Sequence, residues 1–149
     1  MTLPILNYTT SIAAEKTVAQ ITKILTSHGA RKIMTEYSER QVPIGITFQI
    51  DTPYGLRGFK LPANIEAVWA VLRRQRDRGD IRSDKFVTKE HAAKVGWRVL
   101  KDWIEAQMAL IETEMVSLTE IMLPYMTTPS GETVYESLES RQLMLGSGQ

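Results

Sequence analysis

Apolar residues recur along the chain with two different periods. Between residues 11 and 28 they recur every three or four positions, which is typical of an amphipathic α-helix. Residues 32–37, 44–50 and 56–61 alternate between apolar and polar side chains, and the turn residues between them predict three antiparallel strands. The helical period returns in residues 62–76 and again in residues 88–115. The predicted order over residues 11–76 is therefore α-β-β-β-α, and a long helix follows it.

The apolar side chains of the second predicted strand fall on one face, because Ile44, Ile46, Phe48 and Ile50 alternate with other residues. A sheet with this pattern is covered on one side only. We therefore predict an α+β fold: a three-stranded antiparallel sheet with helices packed on one face and a helical C-terminal half. No linker rich in Pro, Gly or Ser divides the chain, so residues 1–149 are interpreted as a single domain, with a core in residues 11–76 and helices in residues 88–145.

Residues at the helix boundaries favour particular starting points. Pro62 is predicted to open the second helix, because a first-turn proline loses no hydrogen bond. Thr88 is predicted to cap the long helix, and Ser117 and Glu120 form a capping box for a short one. Residues 77–85 have no period and are predicted to be a polar loop. The predicted buried stripe of the long helix consists of Ala92, Val95, Val99, Trp103, Ala106 and Leu110.

Composition argues against most catalytic chemistry. The chain has no cysteine and two histidines, His28 and His91, and no HExxH, calcium-loop or Walker motif occurs. No nucleophile–base pair is evident, so we predict a protein that is not an enzyme and that uses no metal and no cofactor. No signal peptide and no long apolar run is present, which predicts a cytoplasmic protein without a membrane partner.

Charge is distributed unevenly along the chain, although the net charge is only +1. Residues 63–101 carry ten basic and five acidic side chains, whereas residues 102–149 carry one basic and eight acidic side chains. A basic segment of this kind is suited to phosphate groups. The candidate phosphate-binding residues are Arg73, Arg74, Arg76, Arg78, Arg82, Lys94, Arg98 and Lys101, with Trp97 as a platform on which a base stacks.

Two structural expectations accompany these candidates. Lys94, Arg98 and Lys101 are spaced to share one face of the long helix. If the loop after residue 76 folds the second and the long helix antiparallel, the arginines lie near the start of the long helix. Two alternatives remain open at this point: the arginines form a solvated helix end, or they dock onto the acidic C-terminal segment within the chain or between subunits.

Three phrases of the chain resemble small proteins encoded by phages and prophages that have no assigned activity. They are Phe59-Lys60-Leu61-Pro62-Ala63-Asn64-Ile65-Glu66-Ala67-Val68, the stretch from Gly96 to Gln107, and Met122-Leu123-Pro124-Tyr125. The resemblance implies a role in an infected or lysogenic host cell, either in DNA metabolism or against host defence.

Three hypotheses for function follow. The first is a phage-type protein that binds nucleic acid through the basic residues without catalysis. The second is an immune-evasion protein that sequesters a phosphorylated nucleotide in a pocket between subunits of a homo-oligomer. The third is a protein that blocks a host defence protein through its acidic C-terminal helices.

Overall fold

The computed structural model describes the backbone of residues 3–147 and the side chains of residues 3–141. Its helices are α1 (Ala14–Ser27), α2 (Ile65–Asp77), α3 (Lys89–Glu112), α4 (Leu118–Met122) and α5 (Val134–Ser147). Its strands are β1 (Arg31–Tyr37), β2 (Pro43–Thr52) and β3 (Gly55–Pro62), and short 3₁₀ turns cover Asp84–Phe86 and Leu123–Tyr125. The predicted α+β class with a helical C-terminal half is confirmed.

The three strands form an antiparallel sheet in the order β1-β2-β3. Gly55 closes the turn between β2 and β3 with a φ of +99°, a conformation that glycine adopts without a side-chain clash. Phe48 of β2 and Phe59 of β3 stack with their ring centroids 5.5 Å apart on the buried face. Ile44 departs from the predicted pattern, because it is 38% exposed and borders an open groove.

Helices α1 and α3 cover the buried face of the sheet. Helix α1 contributes Val18, Ile21 and Leu25 to the core that it shares with the sheet. The buried side chains of α3 differ from the predicted stripe, because Ala106 and Leu110 are exposed. Helix α3 packs against α1, α2 and the sheet, so its buried surface includes residues outside a single stripe: Ala93, Trp97, Ile104 and Met108.

Helix α2 begins three residues later than the sequence pattern predicts. Pro62 is the last residue of β3, where pairing with Gly45 keeps the backbone extended, so the prediction that it opens the helix is wrong. Asn64 caps α2 instead, and its Oδ1 atom accepts a hydrogen bond from the Ala67 N–H at 3.3 Å. The loop after α2 is polar except for Ile81, which is fully buried in a second apolar cluster with Leu72.

Side-chain caps define three of the remaining helices. Thr88 accepts a hydrogen bond from the His91 N–H at the start of α3, as predicted. The predicted capping box of Ser117 and Glu120 starts α4. A second reciprocal pair, Thr133 and Glu136, starts α5.

An N-terminal segment, residues 5–8, joins α2 to α3. The Ile5 N–H donates to Gln75 Oε1 at 2.9 Å. Asn7 Nδ2 donates to Asp102 Oδ2 at 2.8 Å, and the His91 ring bonds to the Tyr8 carbonyl. Gln75 is almost fully buried, so this contact satisfies a polar side chain that would otherwise be costly to bury.

Within residues 3–147, no helix has both the length and the apolar character that a membrane crossing requires.

Candidate nucleic-acid interface

One face of α2 carries Glu66, Trp69, Arg73 and Arg76, which are three or four residues apart. The segment that follows α2 runs back along this face. Arg76 Nε donates to Asp84 Oδ1 at 2.8 Å, Trp69 Nε1 donates to the Val87 carbonyl at 2.8 Å, and Lys89 forms an ion pair with Glu66. Helix α3 therefore starts beside the first half of α2. The two helices begin side by side and are not antiparallel, so the condition for placing the arginine cluster near the start of α3 is not met. Of these arginines, Arg73 shares the Trp69 ring with Lys89, the first residue of α3.

Aromatic rings hold three cations of this region in place. The guanidinium carbon of Arg73 lies 4.3 Å from the centre of the Trp69 ring, and Lys89 Nζ lies 5.8 Å from the same ring. Lys85 Nζ lies 4.9 Å from the centre of the Phe86 ring. Cation–π contacts restrict the conformations of these long side chains.

The other arginines of this region differ in their partners. Arg74 and Arg82 are exposed and form no ion pair with the described side chains. Arg78 Nε lies 3.7 Å from Asp80, whose side chain is 11% exposed. We call the cations at the end of α2 and along the returning segment the α2 basic patch: Arg73, Arg74, Arg76, Arg78, Arg82, Lys85 and Lys89.

The remaining predicted cations belong to a different surface. Lys94, Arg98 and Lys101 are half-buried on α3, where Arg98 donates to Gln20 of α1 at 2.6 Å and Lys101 pairs with Glu105. The N-terminal segment bridges α2 and α3 through residues 75, 91 and 102, whereas Arg98 faces α1. The nine predicted residues are therefore not brought together into one site.

Trp97 is fully buried, so the prediction that it provides a stacking platform is wrong. Its indole N–H donates to the Pro43 carbonyl at 2.8 Å, which fixes α3 against the start of β2. The aromatic residue beside the cations is Trp69. Trp69 and Arg73 are four residues apart on one helix, and this spacing in the sequence indicates that the two side chains are neighbours. The candidate residues predicted from the sequence do not include Trp69, Lys85 or Lys89.

The acidic C-terminal half does not neutralise the arginines of the α2 basic patch within the described side chains. Glu112 Oε1 instead lies 2.6 Å from His28 Nε2, and Glu120 is engaged in the capping box of α4. The ion-pair partners of Arg76 and Arg78 come from the same loop, Asp84 and Asp80.

A groove of about 690 Å³ adjoins the patch at Lys89. The β1–β2 turn forms one wall, and the first turns of α2 and α3 form the other. Its apolar lining comes from Val42, Ile44, Pro62, Ala63 and Ile65.

A smaller pocket of about 350 Å³ lies between the end of α1 and the end of α3. His28 lines it, and the pKa of this histidine is raised, first because its ring bonds to the Ile24 carbonyl and also because of Glu112. The described side chains contain no group of three or more histidines or carboxylates that could hold a metal ion.

In comparisons with protein-family models, curated proteins and solved structures, no match to this chain was found.

Proposed function

We propose that the protein binds nucleic acid through the α2 basic patch and performs no catalysis. The observation that supports the proposal is which ion-pair partners the arginines of the patch have, and which arginines have none among the described side chains. Among the described side chains, Arg76 and Arg78 pair with carboxylates of their own loop, and Arg74 and Arg82 form no ion pair and are exposed to phosphate oxygens. Residues 66–89 carry seven basic and four acidic side chains, so a positive excess remains after this pairing.

Phosphate binding would use the patch in two ways. Arg73 is held by the Trp69 ring and presents a guanidinium fork whose position is restricted in advance. Arg74 and Arg82 lie in solvent and would order on contact with the ligand, at a larger entropy cost. A phage-encoded role, capture of a nucleotide between subunits and a block of a host protein stay predictions beside this proposal.

Fluorescence anisotropy with a labelled oligonucleotide tests the proposal. Because bound phosphates release counterions, the affinity should fall by at least about tenfold between about 50 and about 200 mM salt. The double variant Arg74→Gln with Arg82→Gln removes two phosphate contacts, so the slope of log affinity against log salt should decrease by about 2.

The matched control is Lys23→Gln with Arg57→Gln, which removes the same charge from exposed positions on α1 and β3. It should leave the salt slope close to that of the wild type. An absence of binding at low salt, or an equal effect of both double variants, would contradict the proposal.

A further inference from the structure

We infer that the groove beside Lys89 receives an unstacked nucleotide, so that the ligand of the α2 basic patch is a single strand rather than a duplex. This inference rests on the proposed function and assigns its substrate class. The first observation is the position of Lys89, which pairs with Glu66 at the rim of the groove and also approaches the ring of Trp69. A chain of phosphates across Arg73 therefore passes the mouth of the groove.

The size and lining of the groove fit a nucleobase. Its volume of about 690 Å³ lies within the range of small-molecule sites. Ile44 is 38% exposed, and it forms an apolar lining with Val42 and Pro62 that can contact the flat face of a base. Contact with a base would remove this partly exposed aliphatic side chain from water.

Polar groups at the rim match the edge of a base. Asn64 uses its side-chain oxygen to cap α2, and its amide hydrogens make no hydrogen bond within the described residues. Glu90 also lines the groove, and its carboxylate can accept from the exocyclic amino group of a base. Three carboxylates (Glu39, Glu66 and Glu90) and two cations (Arg40 and Lys89) line the groove, whereas cations are in excess on the patch. The phosphates are therefore assigned to the patch and the base to the groove.

A site that takes up a base requires the base to be free of its pairing partner, and this requirement distinguishes the groove from a surface that binds phosphates alone. A duplex keeps its bases paired and stacked, so no base can enter the groove without an unpairing cost. A surface limited to phosphates would instead favour the duplex, whose phosphates are denser.

The test compares a single strand with a duplex of the same sequence, both at the same salt concentration. The wild type should bind the single strand about tenfold more tightly, the scale expected when one base and the apolar groove lining are removed from water together. Ile44→Gln should remove most of this preference and leave duplex binding unchanged. Leu56→Gln is the matched control, since Leu56 is 47% exposed at the opposite end of the sheet, and it should retain the preference.

Ultraviolet crosslinking provides a readout that does not depend on any variant. A single strand with a photoreactive base should crosslink within residues 38–44, 62–66 or 89–90, the segments that line the groove. Crosslinks elsewhere, or equal affinity for single strand and duplex, would overturn the inference while leaving the proposed function in place. Competition by a nucleoside monophosphate as strong as that of the strand would also overturn it, in favour of a free nucleotide. If the wild type binds neither the single strand nor the duplex, that result would instead contradict the proposed function.

Discussion

Trp69 and Trp97 lie on neighbouring helices and have opposite environments. Trp97 is fully buried and donates its only polar hydrogen to a backbone carbonyl of the sheet. Trp69 is half-buried; its ring makes a cation–π contact with Arg73, and its N–H donates a hydrogen bond to the Val87 carbonyl. The first residue therefore fixes the position of α3, and the second organises the α2 basic patch.

Trp97→Phe should destabilise the fold without changing the affinity for an oligonucleotide. The substitution leaves the Pro43 carbonyl without its donor in a buried site, so the free energy of unfolding should fall by about 1–3 kcal/mol. Urea denaturation measures this loss. Trp69→Phe is the comparison, because water can replace the lost donor at a half-buried position, and its loss of stability should be smaller. A Trp97→Phe protein with normal stability but weakened oligonucleotide binding would contradict these roles.

Among the elements, α1 and α3 are tied together at their C-terminal ends by His28 and Glu112. The pKa of His28 is raised in the fold, chiefly by the hydrogen bond to the Ile24 carbonyl and further by Glu112. A raised folded pKa stabilises the protein fully below the unfolded pKa, which is near 6.5. The stabilisation is then lost as the pH rises through the higher folded pKa.

His28→Gln should therefore cost more stability in acid than in base. The difference in free energy of unfolding between wild type and His28→Gln should be larger at about pH 5.5 than at about pH 8. Chemical denaturation at both pH values measures it. Glu112→Gln should reduce the pH dependence without abolishing it, because the Ile24 carbonyl remains. A difference that does not change with pH would disprove the assignment.

The elements also show what the sequence could predict. The three strands and α3 were predictable because alternation and helical periodicity report which face of an element is buried, and Thr88 and Ser117 act locally as caps. The start of α2 could not be predicted from local sequence, because Pro62 is held in β3 by its pairing with Gly45 of β2. For the candidate site, the local clustering of arginines at the end of α2 is visible in the sequence. The burial of Trp97 and the partial exposure of Trp69 are not, because they depend on which faces of α2 and α3 pack against other elements.

At the scale of the whole molecule, α3 places two carboxylates of the acidic segment far from Lys89 of the α2 basic patch. Its first turn lies at the α2 basic patch, and Glu112 and Glu114 lie at its other end. A helix of 24 residues is about 36 Å long, several Debye lengths at physiological salt. Glu112 and Glu114 are thus separated in space from Lys89, whereas Asp102 stays near the end of α2 through the N-terminal segment.

Glu114→Gln should consequently have little effect on oligonucleotide affinity at physiological salt. Its carboxylate is exposed and too far from the patch to act except through a screened field. Anisotropy at about 150 mM salt should show a change of less than about twofold, against a larger loss for Arg74→Gln at the patch. Equal effects of the two single variants would show that binding responds to net charge and not to a defined surface.

The N-terminal segment has a consequence for the order in which the chain folds during synthesis. Its hydrogen bonds join residues separated by 70, 83 and 95 positions along the chain. Residues 5–8 leave the ribosome before α1, yet their partners on α3 emerge only after α1, the whole sheet and α2 have been made. The strands can pair early with their sequence neighbours, whereas residues 5–8 must wait for α2 and α3 before they can make these hydrogen bonds.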